Sequence, residues 1–110
     1  WSLMTKKEEA IKQVNDLLQQ LYESLDNTKA KEAVQLTYNQ INRPYKPSQK
    51  YKEIPEAIDL LKKDFSKLSL SKENRLTRSQ EEIMYKLTKL TRQIFQKGFD
   101  RIMYANIWFS

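Results

Sequence analysis

Tyr45 and Tyr51 alternate with Lys46, Lys50 and Lys52 in the segment Arg43-Pro44-Tyr45-Lys46-Pro47-Ser48-Gln49-Lys50-Tyr51-Lys52. Aromatic rings interleaved with ammonium groups can stack on bases while the charges meet phosphates, so this stretch is the chain's candidate nucleic-acid contact. A second set lies near the other terminus. Seven of the last twelve residues are large and apolar (Phe99, Ile102, Met103, Tyr104, Ile107, Trp108 and Phe109), in a chain whose mean hydropathy is −0.80. Tyrosine, tryptophan and arginine dominate the energetics of protein interfaces. Tyr104, Trp108 and Phe109, with the bases Arg75, Arg78, Lys97 and Arg101, are therefore the candidate partner-binding residues.

Catalytic chemistry finds little material. The 110 residues contain no histidine and no cysteine, which removes the usual zinc, haem and iron–sulfur ligands, the thiol nucleophile and the readiest proton shuttle near neutral pH. The fourteen carboxylates are interleaved with lysines on polar faces, as in Glu8-Glu9 and in Asp59 near Lys62-Lys63. None forms an inward acidic pair of glycosidase type. A single glycine, Gly98, leaves no loop able to cradle phosphate. The expectation is a protein that binds rather than catalyses, without cofactor or metal.

Charge sharpens the choice of partner. The net +6 is uneven: residues 1–42 carry −1, residues 43–55 carry +3 and residues 71–98 carry +4. This balance favours an anionic partner, although most charged faces are simply solvated. No helix carries a dense basic stripe. In the last helix, acids at Glu81 and Glu82 precede bases at Lys86, Lys89, Arg92 and Lys97, the order that the helix dipole also favours. The solvated reading is therefore preferred to nucleic-acid binding, which stays as the alternative. No run of apolar residues is long enough to cross a membrane.

The elements that must position these residues are helices. Thr5 and Glu8 have capping-box spacing, and Ile11, Val14, Leu18, Leu21 and Leu25 recur in three- and four-residue steps, with Leu17 beside them. The first helix is predicted over about 5–25. Asp26-Asn27-Thr28 breaks it, and a second helix over 28–42 turns Ala30, Val34, Thr37 or Tyr38, and Ile41 inward. Two prolines make residues 43–52 the longest loop. Pro55 then reads as the first residue of a third helix, to Leu70, with Ile54, Ile58, Leu61, Phe65 and Leu68 as its stripe. After a polar link over 71–76, Thr77–Gln80 or Ser79–Glu82 caps a fourth helix over 78–97. Ile83, Leu87, Leu90 and Ile94 form its stripe, with Met84 and Phe95 adjoining, and Gly98 is its expected stop. The fold class is all-α: a single antiparallel four-helix bundle over residues 1–110 with an apolar tail, 99–110, that has room for a short fifth helix. Helical winding divides the tail into an inward set, Phe99, Ile102, Met103 and Ile107, and an outward set, Tyr104, Trp108 and Phe109.

The run Leu68-x-Leu70-Ser71-x-x-x-x-Leu76-Thr77-x-x-Gln80-x-x-Ile83-x-x-x-Leu87-x-x-Leu90, together with the glycine after helix 4 and the idiosyncratic segment beyond it, resembles the enterocin A-type immunity proteins of the pediocin-like bacteriocin systems. The likeness is strongest over 56–98. It implies a four-helix bundle that protects the producing cell from inside. Members recognise the bacteriocin bound to its membrane receptor, the mannose phosphotransferase permease, with specificity carried by the C-terminal half. The resemblance thus implies a cytoplasmic protein partly associated with the inner face of the cell membrane. It fixes no individual binding residue. The strongly apolar tail and the Pro/Tyr/Lys segment depart from its pattern.

Overall fold

The computed structural model describes the backbone of residues 5–106 and the side chains of residues 5–94. Its elements are α1 (Lys6–Ser24), α2 (Thr28–Asn42), α3 (Pro47–Leu70) and α4 (Arg78–Asn106). Together they form an all-α four-helix bundle, with no strand among the described residues.

Helix α1 begins where its sequence dictates. Thr5 Oγ1 accepts from the Glu8 backbone N–H at 3.1 Å, and the Glu8 carboxylate accepts from the Thr5 N–H at 3.2 Å. Two N–H groups that a helix start leaves orphaned are thereby satisfied. Asn27 caps α2 through the Ala30 N–H at 3.0 Å. Thr77 and Gln80 repeat the reciprocal arrangement at the head of α4, at 3.2 Å and 2.9 Å.

Two helix boundaries differ from the sequence expectation. Helix α3 starts at Pro47, eight residues before Pro55, so the connection shrinks to residues 43–46 and Lys50, Tyr51 and Lys52 are helical. Pro47 occupies the first turn, where its missing N–H costs nothing. Pro55 sits inside the helix and deprives the Tyr51 carbonyl of its usual donor. Half-buried Tyr51 and fully buried Ile54 pack against the core on this early stretch, and their burial offsets the missing bond. Helix α4, in turn, does not stop at Gly98 but runs on to Asn106 as one helix, with no separate fifth helix among the described residues. Glycine in a helix interior costs only about 1 kcal/mol relative to alanine, and an established helix propagates through such a position far more readily than a new one nucleates.

The core is contributed by every helix: Val14, Leu18 and Leu21 from α1, Val34 and Ile41 from α2, Ile54, Ile58, Leu61 and Phe65 from α3, and Met84 and Leu87 from α4. Leu25, just past α1, is buried with them. On α2 the inward position falls to Thr37, 4 % exposed, rather than to Tyr38. The Thr37 hydroxyl satisfies itself on the Ala33 carbonyl at 2.9 Å, which lets a polar residue occupy a core site. On α4 the residues Ile83, Leu90 and Ile94 are only half-buried.

Helix α1 packs against all three others, α3 lies between α2 and α4, and α2 and α4 do not meet among the described residues. Gln80, early in α4, bonds to Ser24 at the end of α1, so these two helices run antiparallel. Lys6 precedes Ser24 by as many residues as Gly98 follows Gln80. Gly98 is therefore roughly level with the start of α1. The remaining eight residues of α4 extend past that level by about 12 Å at the ordinary helical rise.

Candidate functional site

The α3–α4 hairpin is joined by residues 71–77, and its geometry begins with a backbone device. Lys72 has φ of 63°. The Lys72 N–H donates to the Ser69 carbonyl at 3.1 Å and the Glu73 N–H to the Leu68 carbonyl at 2.9 Å. This pairing is a Schellman close, which usually recruits glycine for its left-handed residue. Here lysine occupies that position, at a cost of about 1 kcal/mol.

The link is then tied to the α1–α2 junction. Lys29 Nζ meets the Glu73 carboxylate at 2.6 Å, Ser71 Oγ donates to the same carboxylate at 3.0 Å, and Asn27 Nδ2 donates to the Glu73 carbonyl at 3.0 Å. Hydrogen bonds from Lys29 and then Ser71 hold the Glu73 carboxyl below its ordinary range, and the Glu73 hydrogen bond raises the Lys29 ammonium. Gln80, 6 % exposed, completes the tie. Its Nε2 donates to the Ser24 carbonyl at 2.8 Å and to Ser24 Oγ at 3.2 Å, while its Oε1 caps α4 on the Thr77 N–H. Asn74 Nδ2, in the same link, is shielded from solvent without a partner among the described residues.

Below this tied end the two helices part into an open groove. Phe65, Leu76 and Met84 form its apolar floor, Tyr85 stands at its edge 66 % exposed, and Lys62, Arg75 and Glu81 supply charge at the rim. The groove continues along the hairpin past Ile58, Thr88, Thr91 and Arg92 to Pro55. Thr88 and Thr91 return their hydroxyls to the Met84 and Leu87 carbonyls at 2.8 Å and 2.9 Å, so these two bring no unpaired hydroxyl to the groove, while Ser66 and Ser69 line it with polar hydroxyls.

Of the residues expected to bind a partner, Arg75 reaches this groove, and Arg78 is exposed on the first turn of α4. Lys97, Arg101 and Tyr104 belong to the last turns of the same helix, about 28 Å from Arg78 at Lys97 and further for the others. The expected bases are thus split between the two ends of α4. The side chains of Phe95, Lys97, Phe99, Arg101, Ile102, Met103 and Tyr104, and the whole of Ile107, Trp108 and Phe109, lie outside the described residues, and with them the division of the tail into inward and outward sets.

Neither Tyr85 nor Gln80 reads as a binding or pinning residue in the sequence. Tyr85 sits one step off the apolar stripe of α4, and that offset was a usable signal. The bond from Gln80 to Ser24 joins residues 56 apart and left none. Among the described residues no cluster of acidic side chains could hold a metal ion, and no helix is long and apolar enough to cross a membrane. No family model matches the chain, and no curated protein or solved structure matches it.

Proposed function

We propose that the chain is a bacteriocin immunity protein. In this reading it recognises, without covalent chemistry, a pediocin-like bacteriocin bound to its membrane receptor, the mannose phosphotransferase permease, at the inner face of the membrane. The observation that carries the reading is the open α3/α4 groove, with its apolar floor of Phe65, Leu76 and Met84, its exposed Tyr85 and its charged rim. An apolar centre ringed by polar groups, with an aromatic residue and an arginine at its margin, is how protein interfaces are built. The groove lies in the half of the chain to which the resemblance assigns specificity. The tail residues Tyr104, Trp108 and Phe109, with Lys97 and Arg101, take the anchoring role in this proposal on sequence grounds.

The test is expression in a strain sensitive to pediocin-like peptides. The full chain is expected to protect. Tyr85→Ala combined with Arg75→Gln is expected to weaken protection while leaving the urea unfolding curve in place, and removal of residues 99–110 to abolish it. Folded chain that protects against none of these peptides overturns the proposal, and full protection by the truncated chain removes the tail from it.

A further inference from the structure

The fold gathers at one end of the bundle bases that the sequence keeps far apart. The α2–α3 corner and the first turns of α3 sit beside the start of α1: Lys7 Nζ lies 5.7 Å from the Tyr51 ring centroid. Lys50 Nζ reaches the Asn42 carbonyl at 3.3 Å, drawing the corner onto the end of α2. Helix α4 runs toward this same end, as its antiparallel pairing with α1 requires. Lys6, Lys7, Arg43, Lys46, Lys50 and Lys52 collect here.

The carboxylates nearby are Glu8, Glu9, Glu53, Asp64 beside Arg43 and Glu56 one turn from Lys52. Glu8 is engaged in the Thr5 cap, and the side chain of Asp100, on the stretch of α4 that runs to this end, lies outside the described residues. Among the described residues the ion pairs are Lys12–Asp16, Lys29–Glu73 and Asp59–Lys63, so none of these six cations is paired. Tyr45 stands at the apex of the corner, 93 % exposed.

We propose that this end of the bundle is a docking surface for an anionic lipid bilayer. Unpaired lysines and arginines are drawn to a negatively charged leaflet, each strengthening binding by about five-fold. A tyrosine ring held clear of the protein suits the headgroup layer, where one edge is apolar and the other wet. The cations cap a bundle end around an aromatic apex instead of lining one helix as a stripe. Clustered around a ring rather than strung along a helix, the charges suit an anionic leaflet better than a phosphate backbone, which is why a bilayer is favoured over nucleic acid. The inference deepens the immunity reading, which already places the chain at a membrane, by naming the surface that meets the lipid; lipid docking is read on vesicles, immunity on protected cells, and each can fail alone.

The experiment is co-sedimentation of the full chain with vesicles of mixed phosphatidylserine and phosphatidylcholine, against vesicles of phosphatidylcholine alone, over a range of salt. Binding is expected to the anionic vesicles only and to weaken as salt rises. The triple variant R43Q/K46Q/K52Q leaves the Lys50 hydrogen bond intact and is expected to bind about a hundredfold less tightly, with an unchanged thermal unfolding curve. R75Q/R78Q, at the far end, is expected to bind as the parent does. Equal binding to both vesicle types, undiminished binding by the triple variant, or tighter binding to a DNA or RNA oligonucleotide than to the anionic vesicles would overturn the proposal.

Discussion

At the linked end of the bundle, Asn27, Lys29, Ser71, Glu73 and Gln80 bond across from one element to another. At the corner end, six cations have no carboxylate partner among the described residues and Tyr45 projects into solvent. Both ends are made of exposed, mostly polar residues, and composition alone does not separate them. What separates them is whether the polar groups have been used. The linked end consumes its hydrogen-bonding capacity in holding α1, α2 and the α3–α4 link together. The corner end is held by the reciprocal Asn15–Asn42 bonds and by Lys50 on the Asn42 carbonyl, and it leaves the charges of Arg43, Lys46 and Lys52 without an ion-pair partner among the described residues.

That contrast breaks most directly at Gln80. Gln80→Ala strips the Ser24 carbonyl and the Thr77 N–H of their partner, and the expected loss is about 2 kcal/mol in urea unfolding. Lys46→Gln at the corner is expected to change stability by no more than about 0.5 kcal/mol. Equal costs at both positions would erase the distinction. A smaller effect, of opposite sign, is expected at Lys72. Lys72→Gly relieves the left-handed lysine and is expected to add about 1 kcal/mol, visible as a higher urea midpoint with an unchanged slope.

The smallest effect is electrostatic. The Glu73 carboxyl is held low, so its stabilising contribution is complete at neutral pH and is lost as pH falls through its folded-state value. The Lys29 ammonium is raised, so its share is present through neutral pH and disappears only as pH climbs past the ordinary lysine range. Both side chains are exposed, and solvent screens the pair. A pH series of urea midpoints for the parent and Glu73→Gln is expected to show a small gap at neutral pH that closes in acid. A gap that persists in acid would place the contribution of Glu73 in something other than its charge.

Much of the fold was legible in the sequence because its determinants are local. The Thr5–Glu8 box, the Asn27 cap and the three-four stripe of α1 each act within a few residues, and each is present in the structure. The boundaries that depart from the local signal fall where a local rule competes with packing. Two prolines argue for a long loop, but burial of Tyr51 and Ile54 extends α3 back to Pro47. Glycine argues for a stop, but a helix already formed passes through it. The groove and the basic end were not legible for a different reason. Phe65 meets Met84, and Lys7 meets Tyr51, only after the helices have paired. Arg78 and Lys97, by contrast, were grouped by type and turn out to sit at opposite ends of one helix.

The passage of α4 through Gly98 without a break has a further consequence. A break would let the last residues rotate freely against the bundle, whereas a continuous helix locks their azimuth to that of Met84 and Leu87, which are fixed in the core. Each residue turns a helix by about 100°. One residue inserted just before Gly98 would swing everything beyond it by that angle with no change in composition or charge. An insertion of seven would bring the segment back to within about 20° of its starting direction, two turns further out. Whatever the end of α4 does by facing in a particular direction should therefore vary with insertion length as a periodic function, and the helical phase between core and terminus becomes a heritable property in its own right.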